Sequence, residues 1–134
     1  MQRYDPFGEG AEFHHLGLSA RSIEDALGEG ADSVHDPIQR VRIAFVSLSG
    51  VCVELVEPAA DDSPVTAAIR SGRQLLHVCF TVPDLQIATS QARSHGFHQV
   101  AKPAPAAAFE GRHISWVYSP VYGLVELLAA GENP

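Results

Sequence analysis

His15-Leu16-Gly17-Leu18 opens one stretch of this chain, and His77-Val78-Cys79-Phe80 opens another. The first runs on through Ser22-Ile23-Glu24-Asp25-Ala26-Leu27, the second through Asp84-Leu85-Gln86-Ile87-Ala88. His15 and His77, Ile23 and Leu85, and Ala26 and Ala88 share one constant offset, so the two stretches stay in register. A second echo pairs Gly50-Val51-Cys52-Val53-Glu54-Leu55 with Gly123-Leu124-Val125-Glu126-Leu127. There the offset has grown by roughly ten residues, so the first copy is shorter in its middle. Two echoes in the same order mark an internal duplication into modules of roughly sixty residues.

Each module reads alike. Residues 13–20 and 75–82 are apolar and rich in β-formers, which predicts strands. In 84–95, Asp84 stands as N-cap before apolar Leu85, Ile87, Ala88 and Ala92, and Gly96 follows the end, predicting an amphipathic helix. Its counterpart over 22–28 starts at Ser22 and stops at Gly28 after barely two turns, and the missing residues are expected to be lost here. Further strands are predicted over 33–36 and 97–101, 41–48 and 112–119, and 51–57 and 124–129. Ser63-Pro64 marks a cap with proline at the first helical position, and the helix it opens runs to Arg70 with a stop at Gly72. The expected fold is α+β: paired βαβββ modules forming a curved mixed sheet. One domain over 12–130 would hold modules 12–57 and 74–130, joined by a short helical linker over 58–73.

Composition bounds the function. The 134 residues suit about one domain, and 46% hydrophobic residues suffice for a core. Nine Lys and Arg against sixteen Asp and Glu give a net charge of −7, which argues against a nucleic-acid surface. No apolar run approaches the roughly 20 residues of a membrane span, and no basic-plus-apolar leader opens the chain. Cys52 and Cys79 are too few for a disulfide scaffold, so a reducing, cytoplasmic location is expected.

The duplication places four chemistry-bearing residues at matched positions: His15 and Glu54, His77 and Glu126. Each His lies in the opening strand of its module and each Glu in the closing strand. Strand alternation puts Val51, Val53 and Leu55 on one face and leaves Glu54 on the other with Cys52. A curved sheet could then turn both His–Glu pairs into one cleft. Two imidazoles and two carboxylates suit one borderline divalent metal ion, Zn, Co, Ni, Mn or Fe. Spacing alone leaves open the alternative of packed histidines and solvent-facing strand-end carboxylates.

The ordered motifs resemble the vicinal-oxygen-chelate superfamily, which includes glyoxalase I, extradiol dioxygenases and bleomycin-resistance proteins. The pattern is closest to its methylmalonyl-CoA epimerase-like members. Phe13-His14-His15-Leu16-Gly17-Leu18 resembles their opening strand, and Val41-Arg42-Ile43-Ala44-Phe45-Val46 and Val53-Glu54-Leu55-Val56-Glu57-Pro58 resemble the later ones. Asp62-Ser63-Pro64-Val65 resembles their linker, Leu75-Leu76-His77-Val78-Cys79-Phe80 the strand after it, and Gly123-Leu124-Val125-Glu126-Leu127 the closing strand. The resemblance implies a metal held by His15, Glu54, His77 and Glu126, with Glu126 also acting as the proton-transfer base. It further implies a small-molecule substrate and a homodimer. Three features depart from the epimerase pattern. The first helix is short, Arg42-Ile43-Ala44 offers no second catalytic carboxylate, and Phe109-Glu110-Gly111-Arg112-His113 replaces a G-x-H-G-K segment.

Arg112 is the cation selected for an anionic substrate, because its strand leads toward the expected cleft. His14 has the parity of the back face, and His113 and Tyr118 could supply a second acid or base. Cys52 and Cys79 share the parity of Glu54 and His77 but suit small buried packing. Residues 102–108, with two prolines and no periodicity, read as a loop and a candidate lid. The function expected from the whole is a metal-dependent isomerase, epimerase or lyase that works through a stabilised enolate on a small acyl thioester or related carbonyl. An iron-dependent dioxygenase and a non-catalytic binding module, like the drug-sequestering relatives, are the alternatives.

Overall fold

The computed structural model describes residues 1–131. Its elements in chain order are β1 (Glu12–Ser19), α1 (Ile23–Leu27), β2 (Val34–Asp36), β3 (Val41–Leu48), β4 (Val51–Pro58), α2 (Pro64–Arg70), β5 (Leu75–Val82), α3 (Leu85–Ser94), β6 (His98–Gln99), β7 (Ala104–Pro105), a 3-10 turn (Ala107–Phe109), β8 (His113–Ser119) and β9 (Gly123–Ala129). The class is α+β, with mixed parallel and antiparallel pairing; β-α-β-β-β runs from β1 to β4 and again from β5 to β9, where the two-residue β7 is added. By contacts the chain forms two compact units. One holds 15–77 and 106–111; the other holds 1–14, 78–105 and the described residues from Arg112.

In the first unit the strand order is β2-β3-β4-β1. β4 lies parallel to β1, with Leu16 opposite Val53 and Gly17 opposite Glu54. β3 is antiparallel to β4, and Phe45 faces Glu54 in that register. Ser22 caps α1 by accepting the Asp25 N–H at 3.1 Å, and Glu57 accepts the Ile23 N–H at 2.9 Å. Ser63 caps α2, with Pro64 in its first turn, where the missing N–H is lost at no cost. Val41, Ile43, Val56 and Val65 form the core, with Ile69, Leu76 and Ala108 against it.

In the second unit the order is β5-β9-β8-β6, with β7 also on β8. β9 is parallel to β5 and antiparallel to β8. Asp84 caps α3 through the Ile87 N–H at 2.9 Å. Small Ala88 and Ala92 let that helix approach Val82, Phe97, Val117, Val125 and Leu127 closely, and Phe7 completes this core.

Two expectations are corrected here. The residues missing from the first module do not come from its helix. α1 is short, but the longer link over 28–33 makes up the difference, so β2 and β6 remain nearly in register. The extra length enters later: β2 reaches β3 through 37–40, whereas β6 reaches β8 through 100–112. That longer segment includes all of 102–108, expected to be a loop. It instead holds β7 on β8 and the 3-10 turn, whose Phe109 is buried. Pro103 and Pro105 mask any period, since the strand they interrupt is only two residues long.

Candidate metal centre

β1, β4 and β5 each deliver one polar side chain to the interior of the first unit. His15 is fully buried, Glu54 is 3% exposed and His77 5% exposed. The two Nε2 atoms lie 3.3 Å apart. Glu54 spans them, with Oε2 3.4 Å from His15 Nε2 and Oε1 3.4 Å from His77 Nε2. Buried charge is costly unless paired, and here one carboxylate lies within ion-pair distance of two imidazoles.

Local backbone geometry makes room for this. Gly17 faces Glu54 across the β1–β4 register, and the His77 imidazole lies where a Gly17 side chain would stand. On the other flank, the Phe109 ring stacks on His15 at 5.8 Å and 25°, and Phe45 meets His15 edge-on at 5.5 Å. The two phenyl rings also touch, at 5.7 Å. This aromatic wall was not read from the sequence. Phe45 carries a register signal, being one strand over from Glu54, but Phe109 lies in the segment without periodicity.

Burial pushes the Glu54 carboxyl toward its neutral form, but hydrogen bonds and charge from His15 and His77 prevail and lower its pKa to about 2. The carboxylate is thus ionised at neutral pH, as a metal ligand must be. The Cys52 thiol shifts the other way, raised first by burial and then by the Glu54 charge, which keeps it protonated and unreactive.

The donor set passes a geometric test for metal. The ligand atoms of His15, Glu54 and His77 all lie within 4.8 Å of one another. Ligands bonded at about 2.0–2.1 Å and arranged tetrahedrally stand about 3.3–3.4 Å apart. The His15–His77 and His–Glu separations match that spacing. Two nitrogens and one carboxylate oxygen suit a borderline divalent ion.

Of the remaining expected site residues, Glu126 is buried in the second unit on β9, opposite Cys79 of β5 and Trp116 of β8. Arg112 is half-buried and engages the protein itself: its Nε and one terminal nitrogen donate to the Ala129 carbonyl at 2.8 and 2.6 Å. His14 is half-buried, whereas His113 and Tyr118 are exposed. Cys79 is fully buried and Cys52 half-buried, and both are free thiols.

Residues 14–116 match the profile of the Glyoxalase/Bleomycin resistance protein/Dioxygenase superfamily, and the chain belongs to that family. Solved structures share its fold. A hypothetical protein from Bacillus halodurans C-125 is 23% identical, with a TM-score of 0.76 over 94% of this chain and 99% of its own. Methylmalonyl-CoA epimerase from Mycobacterium tuberculosis is 19% identical, with a TM-score of 0.73 over 90% of this chain and 88% of its own. A variant of the Streptomyces coelicolor methylmalonyl-CoA epimerase, in complex with 2-nitronate-propionyl-CoA, is 19% identical, with a TM-score of 0.72 over 90% of this chain and 97% of its own. No curated protein matches the sequence. No helix among the described residues is long and apolar enough to cross a membrane.

Proposed function

We propose that this protein is a metal-dependent isomerase, epimerase or lyase that moves a proton at the carbon beside a carbonyl, on a small acyl thioester or related substrate. The observation that carries the reading is the buried His15–Glu54–His77 triangle, whose 3.3–3.4 Å edges suit a first coordination shell. Glu126 is the fourth ligand in this proposal. It is the duplicate of Glu54 in the second module, and like Glu54 it is buried in its strand. A bound divalent ion would supply Lewis-acid stabilisation for negative charge developing on a carbonyl oxygen.

The chain's own residues do the rest. His15, His77 and Glu54 fix the position of that charge. Phe45 and Phe109 keep water from the His15 side and lower the local dielectric, which strengthens electrostatic stabilisation. Glu126 is the base that takes the α-proton of the substrate; in an epimerisation a second acid returns a proton on the opposite face. A carboxylate suits this task once the acidity of the α-carbon is raised at the adjacent carbonyl. The complex of the Streptomyces epimerase with an acyl-CoA analogue supports the thioester class. Arg112 is the proposed contact for an anionic part of the substrate, through the terminal nitrogen not engaged with Ala129. A homodimer in the cytoplasm completes the proposal.

Metal analysis of protein purified without chelator, beside a His77→Ala variant, tests it. Near-stoichiometric divalent metal that falls sharply in the variant is expected, followed by deuterium uptake from solvent into acyl thioesters. Iron with oxygen consumption would move the assignment to a dioxygenase. Absence of metal in well-folded wild type would move it to a binding module.

A further inference from the structure

Asp36 closes β2 and is buried. Its Oδ1 accepts the N–H groups of Ile38 and Gln39, both at 3.0 Å, which forms the turn into β3. Its Oδ2 accepts the Ala107 N–H at 3.2 Å, from a point 71 residues further along the chain. Ala107 begins the 3-10 turn that ends on Phe109. That turn is closed on itself, because the Phe109 and Gly111 N–H groups both bond the Ala106 carbonyl, at 3.1 and 3.0 Å. Glu110 and Gly111 then take left-handed φ values of 56° and 80°, reversing the chain immediately after the ring. This block presents to a proposed ligand the phenyl ring stacked on His15. A charged acceptor makes stronger hydrogen bonds than a neutral one, so the bond at Ala107 is a firm anchor for a segment otherwise joined through short elements.

We propose that Asp36 is a positioning residue: through the Ala107 amide it holds Phe109 against His15 and so sets the orientation of the His15 imidazole. Its effect on metal binding rests on the proposed function above; its effect on the ring does not. Metal ligands are commonly oriented by a second layer of contacts, and the Asp36–Ala107–Phe109 chain serves that role through packing.

The test reads the ring directly, by NMR of the histidine side chains in metal-free protein. Asp36→Asn is isosteric. Its single oxygen can still accept the two turn amides, while its NH2 faces the Ala107 N–H and cannot accept from it. The expected result is that the His15 ring signals lose the ring-current shift of Phe109, while those of His98 and His113, in the other unit, stay in place. Ala107→Pro removes the donor from the opposite side. Proline fits the first position of the turn, since Ala106 before it is already extended at φ −112° and ψ 123°. This second variant serves if Asp36→Asn fails to fold, and the two displacements should not add in the double variant. His15 signals unmoved in a folded variant overturn the inference. In cobalt-loaded protein, Asp36→Asn should raise the Kd about tenfold and shift the visible bands; an unchanged Kd and spectrum overturn it too. Wild type that takes up no cobalt, yet shows displaced His15 signals in the variant, would end the metal proposal and support this one.

Discussion

Gly17 on β1 is the floor on which the His77 imidazole rests: a methyl group there would overlap Cε1, Nδ1 and Nε2 of the ring. The overlap is with a ring buried at 5% exposure, with Gly17 itself buried in mid-strand. Neither partner can swing into solvent. Gly17→Ala should therefore drive His77 from its place beside Glu54. Overpacking of this kind costs about 1–3 kcal/mol. Urea denaturation should show that loss, and cobalt titration should show a weakened site. Wild-type cobalt affinity in Gly17→Ala would mean that β1 and β5 move apart to admit the methyl group.

Glu54 gives the metal-free protein a defined acid limb. Its folded-state pKa of about 2 lies below the ordinary 4.5, so the unfolded chain binds more protons between those values. The stabilisation is therefore complete above pH 4.5 and is lost as pH falls toward 2. A depression of that size corresponds to roughly 3 kcal/mol. With chelator present, the stability difference between wild type and Glu54→Gln should shrink steadily as pH falls below 4.5. A difference that is constant down to pH 3 would mean that the two imidazoles do not hold the carboxylate ionised.

Much of this was legible because the duplication repeats both chemistry and pattern. Strand alternation around Glu54 and the matched positions of His15 and His77 needed no tertiary information, and Ser22, Ser63 and Asp84 cap their helices as their types suggest. The segment over 100–112 was not legible. Its structure depends on a carboxylate 71 residues away at Asp36, on a two-residue strand, and on a left-handed Glu110. None of these leaves a periodic trace. Gly17 was visible in the opening motif, but the reason for it lies in the ring of His77 from another strand.

Metal should stabilise the fold by mass action. An ion that binds only the folded chain adds about 2.7 kcal/mol at a hundredfold excess over its Kd. For a domain of this length that raises Tm by several degrees. Zinc added to chelator-treated protein should produce this rise in a concentration-dependent manner, and His77→Ala should abolish it. An equal rise in His77→Ala would locate the stabilising ion elsewhere, for example on exposed carboxylates.

Arg112 allows its two roles to be separated. Its guanidinium bonds the Ala129 carbonyl twice, at the end of β9. Hydrogen bonds to a charged donor contribute about 1.5–3 kcal/mol each at most, and the half-exposed position reduces this. Arg112→Gln keeps one donor for Ala129 and loses the charge. It should lower stability by about 1 kcal/mol or less and leave cobalt affinity unchanged, as read by thermal denaturation and titration. If Arg112 also meets an anionic substrate, the same variant should raise KM for acyl thioesters bearing a carboxylate or phosphate while leaving uncharged thioesters unaffected. A uniform fall in kcat across both substrate types would assign Arg112 to the stability of β9 alone, because loosening that strand disturbs Glu126 regardless of what is bound.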